Sequence, residues 1–313
     1  MSLNNFLEGK TKVVEGKKIV MLDFYNMVFR YLHIAAKNNP LDEEFNDWRY
    51  MMTYGLMGIV NEFKPDQFII AVDAGVSWRK NVYAEYKGQR KGARKASAIN
   101  FDKFFPVLET YILNITDILT NSYVLRYESI EADDFIAVLS KRFGNLNEIV
   151  NISTDKDFYQ LYAYKGYRQY NPITKKFIKI LKPDLELHIK MLTGDPSDNI
   201  PQVMPKCGPK TAEKYFKKLD DLFALTPRNE ETPEIPGEIE SKYIINKKLI
   251  DFEMIPEEMQ IKINKLYDDF DFKPYSGRNT YDLFSKYKLT KSLSYVQEFN
   301  EAFKELKSHK ELL

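Results

Sequence analysis

Glu131-Ala132-Asp133-Asp134 and, one helix and one strand later, Ser153-Thr154-Asp155-Lys156-Asp157 are the stretches on which the reading of this chain turns. The first sets three carboxylates directly ahead of the apolar run Phe135, Ile136, Val138 and Leu139, the pattern of a helix opening. There, acidic side chains cap free N–H groups and oppose the helix dipole. The second follows Ile149-Val150-Asn151-Ile152, which reads as a buried strand, and leads into another helix. Taken singly, each cluster is accounted for by capping alone. Together they put five acids at two strand-to-helix turns.

The same pattern recurs upstream. Lys18-Ile19-Val20-Met21-Leu22-Asp23 and Gln67-Phe68-Ile69-Ile70-Ala71-Val72-Asp73 are apolar strands ending in an acid, separated by helical runs from Tyr25 to Ala36 and Tyr50 to Phe63. Phe101 to Leu119 has helical periodicity, Tyr123-Val124-Leu125 is a short strand, and Tyr167–Tyr170 and Phe177–Ile180 flank a turn at Asn171-Pro172-Ile173-Thr174. Strands alternating with helices predict an α/β fold, a mostly parallel sheet flanked by helices. Ligands of such sheets bind at the carboxyl ends of the strands, the edge that carries Asp23, Asp73, Asp155 and Asp157.

Beyond Lys182 the pattern is helical, from Pro183 through Leu185, Ile189 and Leu192, and it breaks at Gly194-Asp195-Pro196-Ser197-Asp198-Asn199-Ile200-Pro201. Asp195 and Asp198, three apart, share one side of any helical turn. A second helix is predicted from Gly208-Pro209-Lys210-Thr211-Ala212 to Leu219. Such a helix hairpin either presents N–H groups and a cation to phosphate or is a plain capped connection. The expected organisation is a tail at 1–16, a sheet domain at 17–181 and a helical region at 182–313, with the hairpin at about 186–219.

Composition excludes several chemistries. No apolar run approaches the roughly 20 residues a membrane span needs, and the first residues lack the apolar core of a signal peptide, so a soluble, cytoplasmic protein is expected. One cysteine, Cys207, excludes an internal disulfide framework, and His33, His188 and His309 lack ligand spacing. Metal chemistry here has to use carboxylates. The net charge of +1 hides a basic run, Arg79, Lys80, Lys87, Arg90, Lys91, Arg94 and Lys95 against the single acid Glu85, with Trp78, Tyr83 and Tyr86 between. That run is either a solvated face or a nucleic-acid contact. In the tail, Leu3, Phe6 and Leu7 share a helical face, either loose packing or a docking peptide.

Asp23, Asp73, Glu131-Ala132-Asp133-Asp134, Ser153-Thr154-Asp155-Lys156-Asp157 and Gly194 to Pro201, in this order, resemble the flap endonuclease and 5′-3′ exonuclease superfamily. Tyr86-Lys87-Gly88-Gln89-Arg90 resembles that family's arch, here at about 76–100. Asn171 to Phe177 and Lys248 to Pro256 are most similar to its bacteriophage ribonuclease H branch. The family's glycine-rich hairpin is replaced by Gln202-Val203-Met204-Pro205-Lys206-Cys207-Gly208, with only the last glycine kept. This departure puts in doubt the potassium ion that the family's hairpin holds through backbone carbonyls.

The resemblance implies a PIN-like (resolvase-like) sheet domain, a helix-hairpin-helix-type DNA-binding region and two-metal phosphodiester hydrolysis. Nine acids, Asp23, Asp73, Glu131, Asp133, Asp134, Asp155, Asp157, Asp195 and Asp198, would line one cleft. Two like charges about 4 Å apart repel by roughly 4 kcal/mol at an effective dielectric of 20, and an all-carboxylate set selects magnesium, with manganese as substitute. Asp23, Asp73, Glu131 and Asp133 are expected mainly on one ion and Asp155, Asp157 and Asp198 on the other, with Asp134 and Asp195 near or in the outer shell. Lys87 and Arg90 are expected on the scissile phosphate, Tyr25 and Phe29 (with Tyr31) stacked on bases, and Lys206, Gly208, Lys210, Thr211 and Lys214 on duplex phosphates. DNA and RNA–DNA duplexes with 5′ ends or flaps are the implied substrates of a monomer. A sliding clamp, met by Leu3, Phe6 and Leu7, and a single-stranded-DNA-binding protein are the implied partners. Three rivals are a PIN-type ribonuclease, which needs neither basic insert nor hairpin, a haloacid-dehalogenase-type phosphohydrolase, which needs an acid where Tyr25 stands, and a DNA-binding module without catalysis.

Overall fold

A computed structural model describes residues 16–228, 236–287, 289, 293–308 and 310. Leu3, Phe6 and Leu7 lie outside the described residues. The sheet is built from β1 (Lys18–Asp23), β2 (Gln67–Val72), β3 (Tyr123–Arg126), β4 (Glu148–Ile152), β5 (Tyr167–Asn171) and β6 (Lys176–Phe177). Their spatial order is β3-β2-β1-β4-β5-β6. The first five are parallel and β6 closes the edge antiparallel. The chain winds outward from β1 to β3 and then crosses back to β4, so the strand order reverses between β1 and β4. That reversal leaves a crevice at the carboxyl ends of those two strands.

Period-two alternation divides the central strands between two layers. Val20, Leu22, Phe68, Ile70 and Val150 face α1 (Phe24–Asn38), α2 (Asn46–Phe63) and α5 (Phe101–Ile118). Ile19, Met21, Ile69, Ala71 and Ile149 face α6 (Ala132–Phe143). Strands buried on both faces explain the near-continuous apolar runs of the sequence. Between β2 and α5 lie two short helices, α3 (Arg79–Val82) and α4 (Arg90–Lys95).

The helical region continues with α7 (Pro183–Thr193), α8 (Pro209–Lys214), α9 (Leu219–Phe223), α10 (Glu238–Ile250), α11 (Glu257–Asp268), α12 (Thr280–Lys286) and α13 (Leu293–Lys304). Packing corrects the expected boundary. Met191, Leu192, Val203, Ala212, Leu222, Ile239 and Leu249 form a core of their own, but Ile263 and Tyr267 of α11 join the α6 layer. Leu283, Phe284, Phe299 and Phe303 join the α1 layer on the other face. The region after α10 thus covers the sheet domain, and 182–313 is not one separate helical unit. The second hairpin helix also stops at Lys214, short of the expected Leu219.

Candidate active site

Asp23 ends β1 and caps α1, accepting from the Asn26 backbone N–H at 3.2 Å and from Ser153 Oγ at 3.0 Å. Asp73 follows β2 and accepts the Ala132 N–H at 2.7 Å. Glu131 is the N-cap of α6, closed by a capping box with Asp134, which puts Asp133 on the first turn. Asp155 follows β4, and its Oδ1 accepts the Asp157 N–H at 2.9 Å. Local capping thus fixes each side chain at the edge the sequence assigned to it, and four strand ends deliver the acids to one crevice.

Electrostatics shows that Asp23, Asp73, Asp133 and Asp155 share a field. Burial, reinforced by Asp73 and Asp155, pushes the Asp23 carboxyl up to about 7. Burial likewise raises Asp73, against the opposing pull of Lys87. Burial together with Asp155 and Asp23 holds Asp133 well above the carboxylate range. No ion pair reaches any of these four acids among the described residues.

The remaining acids are already neutralised. Glu131 is buried, which favours its neutral form, yet the Lys87 and Arg79 cations bring its carboxyl down to about 2. Lys87 Nζ lies 2.5 Å from Glu131 Oε1 and 3.7 Å from Asp198 Oδ2, and Arg90 Nη2 lies 2.5 Å from Asp198 Oδ1. Lys87 sits at φ +57°, in the left-handed region, a conformation that costs a non-glycine residue roughly 1–3 kcal/mol and is held there by the surrounding structure. Its backbone N–H donates to Asp198 O at 2.8 Å, Gln89 Nε2 donates to the Pro196 and Ser197 carbonyls, and Asn199 Nδ2 donates to Glu85 O. These bonds zip the basic segment to the Gly194–Pro201 loop. Gly194 is required there at φ +68°, since a Cβ would lie 2.3 Å from Ile200 O.

Asp157, Asp195 and Asp198 offer oxygens within 4.8 Å of one another, the one such acidic group among the described residues. Asp195, expected near a metal or in its outer shell, lies in one group with the other two. Lys190 of α7 reaches into this group: its Nζ pairs with Asp157 and lies 2.9 Å from Asp195 Oδ2. Burial opposes ionisation of Asp195, and the Lys190 charge overrides it and lowers that carboxyl. Sequence reasoning missed Lys190, because a lysine in the last turn of a helix is the ordinary response to the helix dipole. It also missed Ser77, whose Oγ donates to Glu131 Oε2 at 2.6 Å, and Ser153 beneath Asp23.

Three expectations are overturned by burial. Arg79, assigned to nucleic acid, is 3% exposed and donates to Glu131, to Asp134 at 2.8 Å and to Leu249 O at 2.8 Å. Asp134, assigned to a metal's surroundings, is fully buried and accepts from Arg79, from Trp78 Nε1 at 3.1 Å and from the Glu131 N–H. The pair is a buried clamp joining the segment after β2 to α6 and α10. Tyr86 is buried too, with its hydroxyl within 3.3 Å of Glu131 and Asp198, so it supports the site and offers no face to a base.

The other candidates stand at the surface. Lys91 and Lys95 are exposed, Lys80 and Arg94 half-buried, with Arg94 over the Phe29 ring at 5.9 Å and the Phe105 ring at 5.0 Å. Tyr25 and Phe29 are half-buried and meet edge to face at 5.6 Å. Lys206, Lys210 and Lys214 are exposed around Gly208 and Thr211.

A parallel sheet whose carboxyl edge is lined with acids, under a strap that holds lysine and arginine against them, defines a phosphodiester-cleaving nuclease of resolvase-like fold. Residues 18–185 match the 5′-3′ exonuclease N-terminal resolvase-like domain, and the chain belongs to that family of hydrolases. Over 302 residues it is 29% identical to the ribonuclease H of Enterobacteria phage T4, covering 90% of this chain and 95% of that one. It is 28% identical to a 5′-3′ exonuclease of Mycoplasmopsis pulmonis, covering 67% and 70%. Among solved structures, the T5 5′-exonuclease with bound divalent zinc ions superposes with a TM-score of 0.62 at 18% identity, covering 82% of this chain and 100% of that one. A bacteriophage T5 flap endonuclease in a pseudo-enzyme–product complex with DNA and metal ions gives 0.61 at 18%, covering 91% and 100%. Among the described residues, no helix is long and apolar enough to cross a membrane.

Proposed function

We propose that this chain is a magnesium-dependent 5′ nuclease. It hydrolyses phosphodiester bonds at the 5′ ends of RNA–DNA and DNA duplexes and at 5′ flaps, and removes RNA primers during phage DNA replication in the host cytoplasm. The observation that carries the reading is the set Asp23, Asp73, Asp133 and Asp155: Asp23 buried and the other three half-buried, drawn from separate strand ends, raising one another's carboxyls and paired with no cation among the described residues. Buried charge without a partner is costly, and an oxygen-only donor set of this kind fits a hard divalent ion. This regroups the sets expected from the sequence: Asp155, which acts on Asp23 and Asp133, would join Asp23, Asp73 and Asp133 on one ion, Asp157, Asp195 and Asp198 would hold a second, and Glu131, paired with Lys87, would stand beside the first. When bound, such ions activate water and stabilise the leaving oxygen of an in-line displacement.

The chain's own residues divide the remaining work. Lys87 and Arg90 pair with Glu131 and Asp198; they exchange those carboxylates for the non-bridging oxygens of a phosphate delivered between them, placing two cations where negative charge grows. Ser153 and Asn26 hold Asp23 in orientation. Lys206, Lys210 and Lys214 grip duplex phosphates, and Tyr25 and Phe29 stack on bases near the cut, a contact worth about 1–3 kcal/mol per base. The partners implied by the family resemblance, a sliding clamp and a single-stranded-DNA-binding protein, complete the proposal, with Leu3, Phe6 and Leu7 as the clamp contact.

The test is digestion of a 5′-labelled flap and a 5′-labelled RNA–DNA hybrid across a magnesium and a manganese titration. Cleavage leaving a 5′-phosphate and a 3′-hydroxyl, abolished by Asp155→Asn with binding retained, is the expected result. Binding without cleavage in either metal would overturn it in favour of a DNA-binding module.

A further inference from the structure

Beside the acidic edge, a cavity of about 400 Å³ opens between α1, α2 and the carboxyl ends of β4 and β5, where Ile152 and Tyr170 form its inner wall. Its outer lining is aromatic and cationic: Arg30, Tyr31, Tyr50, Tyr54 and Lys175. The Arg30 guanidinium lies 4.6 Å over the Tyr31 ring, and its Nε and Nη1 are buried with no hydrogen-bond partner among the described residues. Arginine has five N–H donors and no acceptor, so the Arg30 guanidinium keeps donor capacity that the described residues do not fill. The single carboxylate of the lining, Glu62, is occupied by the Tyr170 hydroxyl at 2.6 Å. Tyr50 and Tyr54 present a tilted ring pair with centroids 4.3 Å apart.

Two glycines in the interior of α2 keep this space open, although glycine costs about 1 kcal/mol relative to alanine in such a position. Gly55 is needed by the fold, because a Cβ would come within 2.7 Å of the Tyr31 ring. Gly58 is not: a Cβ there would meet nothing within 4 Å, and the position simply opens into the cavity. Packing therefore gives no account of Gly58, whereas an occupant would.

We propose that this cavity takes one nucleotide of the bound polynucleotide, its base against the Tyr50 and Tyr54 rings and its phosphate on Arg30 and Lys175. Unpaired guanidinium donors with a lysine suit phosphate, and a tilted aromatic pair suits a base of any sequence. The cavity shares two elements with the acidic edge: Ile152 in its wall stands three residues before Asp155 at the end of β4, and α1, which supplies Arg30 and Tyr31, is tied to the segment after β4 by Asn26, which donates to Thr154 Oγ1 at 2.9 Å. The assignment rests on the nuclease reading and adds a subsite to it.

The experiment uses the full chain in EDTA with 5′-flap duplexes carrying the fluorescent base 2-aminopurine at successive positions, compared across wild type, Arg30→Gln and Gly58→Leu. Leucine is a strong helix former, so Gly58→Leu fills the cavity while α2 is retained. The expected result is quenching at one position in wild type, lost in both variants, with binding weakened about tenfold, the scale of one base stack, and an unchanged unfolding temperature. If wild type cleaves flaps but no position is quenched, or both variants bind as wild type does, the subsite is refuted and the nuclease reading stands. If wild type neither binds nor cleaves any polynucleotide, both fall.

Discussion

Asp23→Asn should stabilise the metal-free protein while removing its activity. Asp23 is 7% exposed and its carboxyl is raised from 3.8 to about 7 by burial and by the neighbouring Asp73 and Asp155. At pH 8 it is ionised in both the folded and the unfolded chain, and the cost of that buried charge is on the order of 4 kcal/mol, at about 1.36 kcal/mol for each pH unit between the two titration points. Asparagine removes the charge and keeps an N-cap acceptor of comparable quality for α1, so most of the cost is relieved. At roughly 2–4 °C per kcal/mol for a domain of this size, the melting temperature in EDTA should rise by about 5 °C or more. The pH dependence fixes the cause. Because the folded state holds the proton more tightly, wild-type stability is fully present below the unfolded titration point near 4 and falls as pH rises to about 7. The advantage of the variant should therefore be large at pH 8 and shrink towards pH 5. Scanning calorimetry in EDTA at the two pH values measures it. A variant less stable than wild type at pH 8, or an advantage independent of pH, would refute the repulsive-cluster reasoning.

Three further outcomes are expected. Lys87→Ala should slow cleavage at saturating substrate by two or more orders of magnitude, while binding measured by anisotropy changes little; a loss confined to affinity would reduce Lys87 to positioning phosphate. Arg79→Met should cost about 3–5 kcal/mol of stability, because it strands Asp134, and in part Glu131, as buried charge; chemical denaturation showing less than 1 kcal/mol would contradict the clamp. Lys190→Gln frees Asp157 and Asp195 of their cation, so calorimetric titration should show tighter binding of a second divalent ion per chain. Unchanged affinity would mean that Lys190 does not compete at that position.

Much of this was legible in the sequence because the decisive features are local. An apolar run ending in an acid is a buried strand delivering a carboxylate to the sheet edge, and Asp23, Asp73 and Asp155 do this independently of one another. Capping chemistry made the start of α6 visible at Glu131 for the same reason. What stayed hidden was pairwise: nothing in the run from Arg79 to Lys95 distinguishes the arginine buried against Glu131 and Asp134 from the lysines left in water. Asp134 looked like a ligand because it adjoins Asp133 and Glu131, yet the helical turn directs it inward to Arg79 and Trp78 while Asp133 faces the crevice field. The region beyond α10 was misjudged for a similar reason, since an amphipathic helix does not say which core it covers, and Tyr267 and Phe303 cover opposite faces of the sheet.

The claim on which the rest depends is that the crevice between β1 and β4 binds divalent cations through its carboxylates. Anomalous diffraction from crystals soaked in manganese tests it directly. The expected map has one peak among Asp23, Asp73, Asp133 and Asp155 and a second beside Asp157, Asp195 and Asp198. A map with no peak in the crevice at millimolar manganese, or with ions bound only elsewhere on the surface, would contradict it.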